Sequence, residues 1–338
     1  MTVQKPVVAV LGAGSWGTAL AKLMADQGYE TRLWSRRADQ AEAIERTRQN
    51  PDYLRGIELP PTLHATSDLE AAVANADLVL VVVPTEANRA LLAHLVGLIP
   101  PGVPIVSATK GIEQGSLLLV SQVFEEIFPK ERHRDLLYLG GPSFAKEVAH
   151  GVPTAVSIAG HDAEVRQQAQ RFFNTDRFRV YTTDDVIGVE VGGALKNVIA
   201  IAAGIADGLQ LGHNSRAALI TRGLAELGRL SMKLGANPMT LAGLSGMGDL
   251  VLTCTGDLSR NRRVGIELGQ GRTLDEILRD LGMVAEGVQT AKSANELAHK
   301  LGVDMPITQQ VHDVLYAGKP AKAALVELMT RPLKEERS

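Results

Sequence analysis

The feature that most constrains this 338-residue chain is the turn Gly12-Ala13-Gly14-Ser15-Trp16-Gly17, placed between the β-branched run Val7–Leu11 and a helical stretch. At this spacing the first glycine permits a tight turn and the second lets backbone approach a pyrophosphate. The third lets helix and strand pack closely. The helix start adds free N–H groups for phosphate oxygens. An ordinary strand-to-helix turn has no need of three glycines so placed, and Gly12, Gly14 and Gly17 are therefore candidate dinucleotide-binding residues. The same turn removes a misreading of the N-terminus. Lys5, the apolar run and the small residues up to Ala21 imitate a secretory signal, but the glycines break its would-be apolar core.

The pattern that follows alternates strands and helices. Thr31–Trp34, Leu78–Val83, Ile105–Ala108, Leu136–Leu139, Thr154–Ile158 and Phe178–Tyr181 read as strands. Their apolar runs are continuous, as in parallel strands covered on both faces. Ser15–Gln27, Leu69–Ala74 and Glu86–Leu98 read as the helices between them. Residues 1–184 are thus expected to form a Rossmann-type, doubly wound parallel α/β sheet. After Asp184 the strand signal ends. Val186–Gly208 is apolar nearly throughout, which predicts a helix buried all round, with Asp184 and Asp185 available as N-caps. Further helices are expected over Asn214–Leu234, Arg260–Leu268, Leu274–Leu281, Gly287–Leu301 and Thr308–Tyr316, so that 185–338 is an all-helical domain.

Charge and cysteine usage exclude several classes. The net charge is −3 and the basic residues are dispersed, so the chain lacks the clustered basic face that nucleic acid requires. A small anion needs only a local basic pocket and stays possible. A single cysteine excludes an internal disulfide, and the eight histidines are scattered, without metal-ligand spacing. Cys254, at the end of the run Leu250–Cys254, reads as a small buried side chain rather than a nucleophile, and this usage fits a reducing cytoplasm. No uninterrupted apolar run reaches the ~18–20 residues of a membrane span, and none is expected.

Candidate site residues lie where strands and helices end. The second strand runs into Trp34-Ser35-Arg36-Arg37, where a strict NAD enzyme carries a carboxylate for the ribose hydroxyls. Without that carboxylate, Arg36 or Arg37 can pair with a 2′-phosphate, which favours NADP with NAD still usable. The plain alternative is two solvated arginines opening a surface helix. Lys110, in Thr109-Lys110-Gly111, and the segment Gly140-Gly141-Pro142-Ser143-Phe144-Ala145 each follow a strand, on the ligand-binding edge of such a sheet. Lys196 interrupts the least charged helix and must either snorkel to water or face a polar cavity. In the second case, partial burial near another lysine would suit it to general acid catalysis. Asp249 follows Gly246-Met247-Gly248 and is either a helix cap or the partner of a catalytic lysine. Ser259-Arg260-Asn261 combines an N-cap with phosphate-binding groups at a helix start.

The motifs GAGSWG, ATKG, GPSFAKE, GGALKNVIAI, ITRGLAE, GDLVLTC, SRNRRVG and MPI occur in this order between about residues 7 and 330. In them the chain closely resembles the prokaryotic-type NAD(P)-dependent glycerol-3-phosphate dehydrogenases. The resemblance implies reversible reduction of dihydroxyacetone phosphate to sn-glycerol 3-phosphate for glycerophospholipid synthesis, in the cytoplasm. It implies that Lys196 exchanges the proton at the C2 oxygen, that Asp249 orients it, and that Lys110 contacts substrate and cofactor. Gly141, Ser143, Ser259, Arg260 and Asn261 match substrate-contacting positions. Ser15, Trp16, Ala145, Arg260, Val284 and Glu286 match cofactor contacts. A homodimer is compatible with the resemblance. Two readings compete with it: another dehydrogenase of the hydroxyacid group, and a regulator that senses NAD(P)H without turnover. The regulator would have no use for Lys110, Lys196 and Asp249 together.

Overall fold

The runs in Val7–Leu11, Leu78–Val81, Ile105–Ser107 and Leu136–Gly140 become strands buried on both faces, whereas Glu30–Trp34 and Phe178–Thr183 alternate buried with more exposed residues. The computed structural model describes residues 5–281, 285–333 and 335–336. Its chain divides into two compact units, one of Met1–Glu113 with Leu118–Glu190, the other of Gln114–Leu117 with Val191–Ser338.

In the first unit the strands are β1 (Val7–Leu11), β2 (Glu30–Trp34), β3 (Leu63–Thr66), β4 (Leu78–Val81), β5 (Ile105–Ser107), β6 (Leu136–Gly140), β7 (Thr154–Ala159) and β8 (Phe178–Thr183). The helices are α1 (Ser15–Asp26), α2 (Ala38–Thr47), α3 (Leu69–Val73), α4 (Thr85–Leu95), α5 (Val120–Ile127), α6 (Ala145–Ala149) and α7 (Ala163–Phe173). One sheet runs in the order β3-β2-β1-β4-β5-β6-β7-β8. Alternate side chains of each strand leave opposite faces, and both faces are covered. Val8, Val10, Leu80, Val106 and Leu137 meet Leu20 and Met24 of α1, Ile44 of α2 and Phe173 of α7. Ala9, Leu11, Val79, Val81 and Tyr138 meet Leu92 and Leu95 of α4 and Phe124 of α5.

Two features depart from the sequence reading. β3 was not expected, because only Leu63 of its four residues is buried, so this edge strand lacks an apolar run. And β7 pairs antiparallel with β6, although every other pairing in the sheet is parallel. An apolar run reports burial and says nothing of strand direction.

The helical unit opens inside α8 (Val186–Gly208), whose first turn belongs to the sheet unit. Val186 and Val189 pack with Leu11, Val81 and Tyr138, and the Glu190 carboxylate accepts the Ser121 N–H at 2.8 Å. Asp185 caps α8 by accepting the Gly188 N–H at 3.0 Å. The expectation about membrane spans needs correction here. By length and mean hydropathy, 1.6 over an 18-residue window, α8 could cross a bilayer, but 89% of that window is buried inside the protein. Glu190, Lys196 and Asp207 punctuate the helix without lowering its average enough. The remaining helices are α9 (Gly212–Lys233), α10 (Pro238–Leu241), α11 (Asp249–Thr255), α12 (Arg260–Gly269), α13 (Leu274–Leu281), α14 (Glu286–Leu301), α15 (Pro306–Tyr316) and α16 (Ala321–Met329). Helices α10, α11 and α16 were not expected; in α16 only Ala324 is fully buried, which leaves too faint an apolar stripe.

Glycines set the spacing inside this unit. A methyl group on Gly192 would lie 2.3 Å from the Ser245 carbonyl oxygen, so α8 touches the π-helical turn Leu244–Gly248 that leads into α11. Further along α8, a methyl on Gly204 would lie 2.1 Å from the Arg262 carbonyl oxygen. One on Gly265 of α12 would lie 2.1 Å from that of Ile201. Helices α8 and α12 therefore meet backbone to backbone.

Candidate active site

The three glycines of the N-terminal turn do three separate jobs. Gly12 leaves β1 with φ +123°, and a methyl there would stand 2.4 Å from the Val82 carbonyl oxygen. A methyl on Gly17 would stand 1.8 Å from the Gly12 carbonyl oxygen. Both positions are forced by the protein itself. Gly14 is not: its φ is −77°, and a methyl there would meet nothing within 4 Å. The open side of Gly14 adjoins the start of α1, whose first turn holds no acidic residue and no side-chain cap. A pyrophosphate fits such a cradle, since backbone donors face it and no carboxylate repels it. The turn also lies where the sheet order reverses, with β1 between β2 and β4, which is the ligand-binding point of this architecture.

The neighbouring strands bring more of the expected residues to the same edge. Lys110 follows β5 and is half-buried, its carbonyl accepting the Thr85 hydroxyl at 3.1 Å. Gly141 follows β6 with φ +125°, and a methyl on it would press to 3.0 Å from the Val156 Cα. The Ser143 hydroxyl donates to the Gly141 carbonyl at 3.0 Å, and Ala145, half-buried, opens α6. Ser15 donates its hydroxyl to the Tyr53 carbonyl at 2.7 Å, and Trp16 is half-buried against the core.

At the end of β2 the two arginines separate. The Arg37 guanidinium lies 2.5 Å from Asp39 and 3.0 Å from Asp52, and its hydrogen bond to Asp39 holds it further towards the charged form. Arg36 is exposed and has no ion pair among the described residues. Ser35 is buried and donates its hydroxyl to Gln40 at 2.7 Å.

One residue of this region escaped the sequence reading. Asn50 is fully buried, and its side-chain amide donates to the Ala13 carbonyl at 2.9 Å and to the Thr18 hydroxyl at 2.8 Å. The only signal for it was an asparagine before a proline, which marks a turn and no more.

In the helical unit the question about Lys196 is answered by its partner. Lys196 is 7% exposed and does not snorkel; its Nζ donates to the Asp249 carboxylate, which is fully buried. The close approach of Gly192 to the Leu244–Gly248 turn delivers Asp249 to α8, one helical turn beyond that contact. Asp249 is the first residue of α11, directly after Gly248. Its backbone carbonyl accepts the Thr253 hydroxyl at 2.6 Å. A buried ammonium matched by a buried carboxylate is costly to assemble, and breaking it by removing one member costs more. Beside it, the Asn197 amide donates to Glu286 at 3.4 Å, and Asn261 accepts the Gly287 N–H at 3.0 Å. Val284 lies outside the described residues.

The start of α12 resolves in the same way. Ser259 caps the helix by accepting the Arg262 N–H at 3.2 Å. Arg262 pairs with Asp207 at 2.8 Å and Asp257 at 3.0 Å, and Arg263 pairs with Glu267 at 2.9 Å. Both are structural. Arg260 is exposed and has no ion pair among the described residues, while Asn261 is buried. Cys254 is buried, and burial pushes its thiol up to about 12, which removes it as a nucleophile at neutral pH.

Comparison with known proteins covers both units. The family described as NAD-dependent glycerol-3-phosphate dehydrogenase N-terminus matches residues 7–166, and its C-terminus counterpart matches 185–326. A glycerol-3-phosphate dehydrogenase [NAD(P)+] of Geobacter sulfurreducens is 55% identical over 330 residues, 98% of each chain. That of Myxococcus xanthus is 54% identical over 327 residues, 97% of this chain and 98% of its own. The crystal structure of glycerol-3-phosphate dehydrogenase from Coxiella burnetii superposes with a TM-score of 0.92 at 42% identity, covering 97% of this chain and all of that one.

Proposed function

The chain belongs to the NAD-dependent glycerol-3-phosphate dehydrogenase family and is an NAD(P)-dependent oxidoreductase, and on that premise we propose the roles its residues play in interconverting dihydroxyacetone phosphate and sn-glycerol 3-phosphate. The observation that carries the reading is the buried Lys196–Asp249 pair in an otherwise apolar helix.

A bound nicotinamide supplies or takes the hydride at C2 of the substrate. In reduction, negative charge grows on the C2 oxygen as the carbonyl opens. The Lys196 ammonium stabilises that charge and gives up one Nζ proton to complete the alcohol; in oxidation the neutral amine takes the proton back. Asp249 accepts from Nζ, which aims the lysine. Lys110 contacts both substrate and cofactor. Ser259, Arg260 and Asn261 hold the phosphate at the start of α12, with Gly141 and Ser143 as further substrate contacts. This remote anchor positions the three-carbon chain for reaction.

The dinucleotide is held by Gly12, Gly14, Ser15, Trp16 and Gly17, with Ala145, Arg260 and Glu286 as further contacts. Arg36 reads the 2′-phosphate, which makes NADP the preferred cofactor. Arg37 is already committed to Asp39 and Asp52, and this favours Arg36 for the role. In the cell, reduction would feed glycerophospholipid synthesis.

The test is a spectrophotometric assay of NADPH and NADH oxidation with dihydroxyacetone phosphate and, separately, with 3-oxo acids. Turnover of the phosphorylated ketone alone is expected. Turnover only with the acids would point to the wider hydroxyacid group, and none at all to a non-catalytic sensor.

A further inference from the structure

The buried amide of Asn50 sits at the centre of a network joining the two ends of the cofactor region in the sheet unit. On one side its Oδ1 accepts the backbone N–H groups of Asp52 at 3.2 Å and Tyr53 at 3.3 Å, which fixes the turn Asn50–Leu54. On the other side its Nδ2 donates to the Ala13 carbonyl and the Thr18 hydroxyl. Because one end of the amide only accepts and the other only donates, the group has a single satisfactory orientation. Gln40, a buried residue of α2, adds a second donor to the Ala13 carbonyl at 3.0 Å, and its own oxygen takes the Ser35 hydroxyl.

These bonds have a directional consequence. A trans peptide is planar, with its N–H opposite its C=O. Two amides hold the Ala13 carbonyl inward, so the N–H of Gly14, on the same peptide, is turned the other way. The turn that Asn50 organises also reaches both flanks. The Tyr53 carbonyl takes the Ser15 hydroxyl at 2.7 Å, and Asp52 takes Arg37 at 3.0 Å.

We propose that Asn50, seconded by Gln40, is a positioning residue for the dinucleotide: it aims the Ala13–Gly14 peptide N–H at the pyrophosphate and ties the glycine turn to the turn Asn50–Leu54. This rests on the reading that the glycine turn holds the cofactor. The pyrophosphate is common to both cofactors, so the effect of losing Asn50 is the same for each.

The experiment titrates the whole protein with NADH and with NADPH, following nicotinamide fluorescence, alongside melting curves and steady-state kinetics. In Asn50→Ala both dissociation constants are expected to rise by about tenfold, the equivalent of ~1.4 kcal/mol. At saturating cofactor, kcat should stay within about twofold, as for a group that acts on binding alone. A merely structural role would lower the melting temperature and leave both dissociation constants unchanged, and that result overturns the proposal. So does a change confined to NADPH, or a fall in kcat without a change in affinity. If Asn50→Ala does not fold, Gln40→Met keeps the bonds from Asp52 and Tyr53 to Asn50 and removes the other donor to Ala13, together with the longer Gln40 bond to Asn50 at 3.5 Å. It is expected to raise both constants about threefold, a loss within the range of one neutral hydrogen bond, and unchanged constants there overturn the proposal. Wild-type protein that binds neither cofactor would overturn the cofactor reading itself, a distinct failure.

Discussion

The sheet unit and the helical unit build their sites from opposite materials. On the sheet, the proposed cofactor site works by what it lacks: Gly14 leaves space open, and the groups we assign to binding are backbone N–H donors at a helix start. In the helices, the proposed catalytic site is a pair of opposite charges placed where charge is least welcome, Lys196 against Asp249 inside an apolar bundle. A backbone site suits a large, invariant cofactor that needs shape and general anion affinity. A side-chain site suits a proton transfer, which needs one titratable atom held at one place. The contrast also separates how the two should fail. Damage to the first should appear in binding, and damage to the second in turnover.

The strongest break is expected at Lys196. Lys196→Ala should leave cofactor affinity intact and cut kcat by about 10²–10⁴-fold, the usual loss for a general acid. It also strands a buried carboxylate, which costs about 3–5 kcal/mol of stability. The double variant Lys196→Met with Asp249→Leu should recover most of that stability and none of the activity. Melting curves beside steady-state rates distinguish the two effects, and near-normal turnover in the folded single variant would remove Lys196 from the mechanism.

Next in size is a pair of substitutions within one turn. Gly17→Ala drives a methyl into the Gly12 carbonyl and should destabilise the protein by about 3 kcal/mol or more, the upper range for overpacking. Gly14→Ala meets open space, so its melting temperature should barely move while affinity for both cofactors falls. Equal loss of stability in the two would show that Gly14 has a structural purpose after all.

Arg260→Ala should cost roughly 1.5–3 kcal/mol, the range for a hydrogen bond to a charged group, seen mainly as a higher KM for dihydroxyacetone phosphate. If only NADPH affinity falls, Arg260 serves the cofactor alone. A smaller change is expected for Arg36→Ala, about tenfold in KM for NADPH, or ~1.4 kcal/mol, with NADH nearly unaffected. Arg37→Ala should do less, because its guanidinium is already paired with two aspartates. Equal changes for the two cofactors in Arg36→Ala would remove it as the reader of the 2′-phosphate.

What could be read in advance follows from how each part is encoded. The strands β1, β4, β5 and β6 are continuous apolar runs and were legible as such, whereas β3 offers one buried leucine and β7 conceals its direction. Lys196 stood out because a charge in an apolar helix demands an explanation. Its choice between water and a partner depended on Asp249, 53 residues away in sequence, so pattern alone left it open. Asn50 was invisible for a related reason. Its importance lies in a carbonyl 37 residues earlier, and an asparagine in a turn has an ordinary local excuse for being there.

The glycine contact between α8 and α12 has a consequence for how such a protein can change over generations. Most core positions can drift, because a methyl lost on one side chain is made good by a methyl gained on its neighbour. At Gly204 and Gly265 no side chain stands between the helices, so no neighbour can compensate. Each additional carbon must push the two axes apart, and α8 carries Lys196 while α12 begins with Arg260 and Asn261. The separation of these residues is thereby recorded in the absence of atoms, as a fixed gauge length. A lineage may retune every aliphatic contact around that crossing, yet it can lengthen the gauge only in a whole step, by abandoning a glycine.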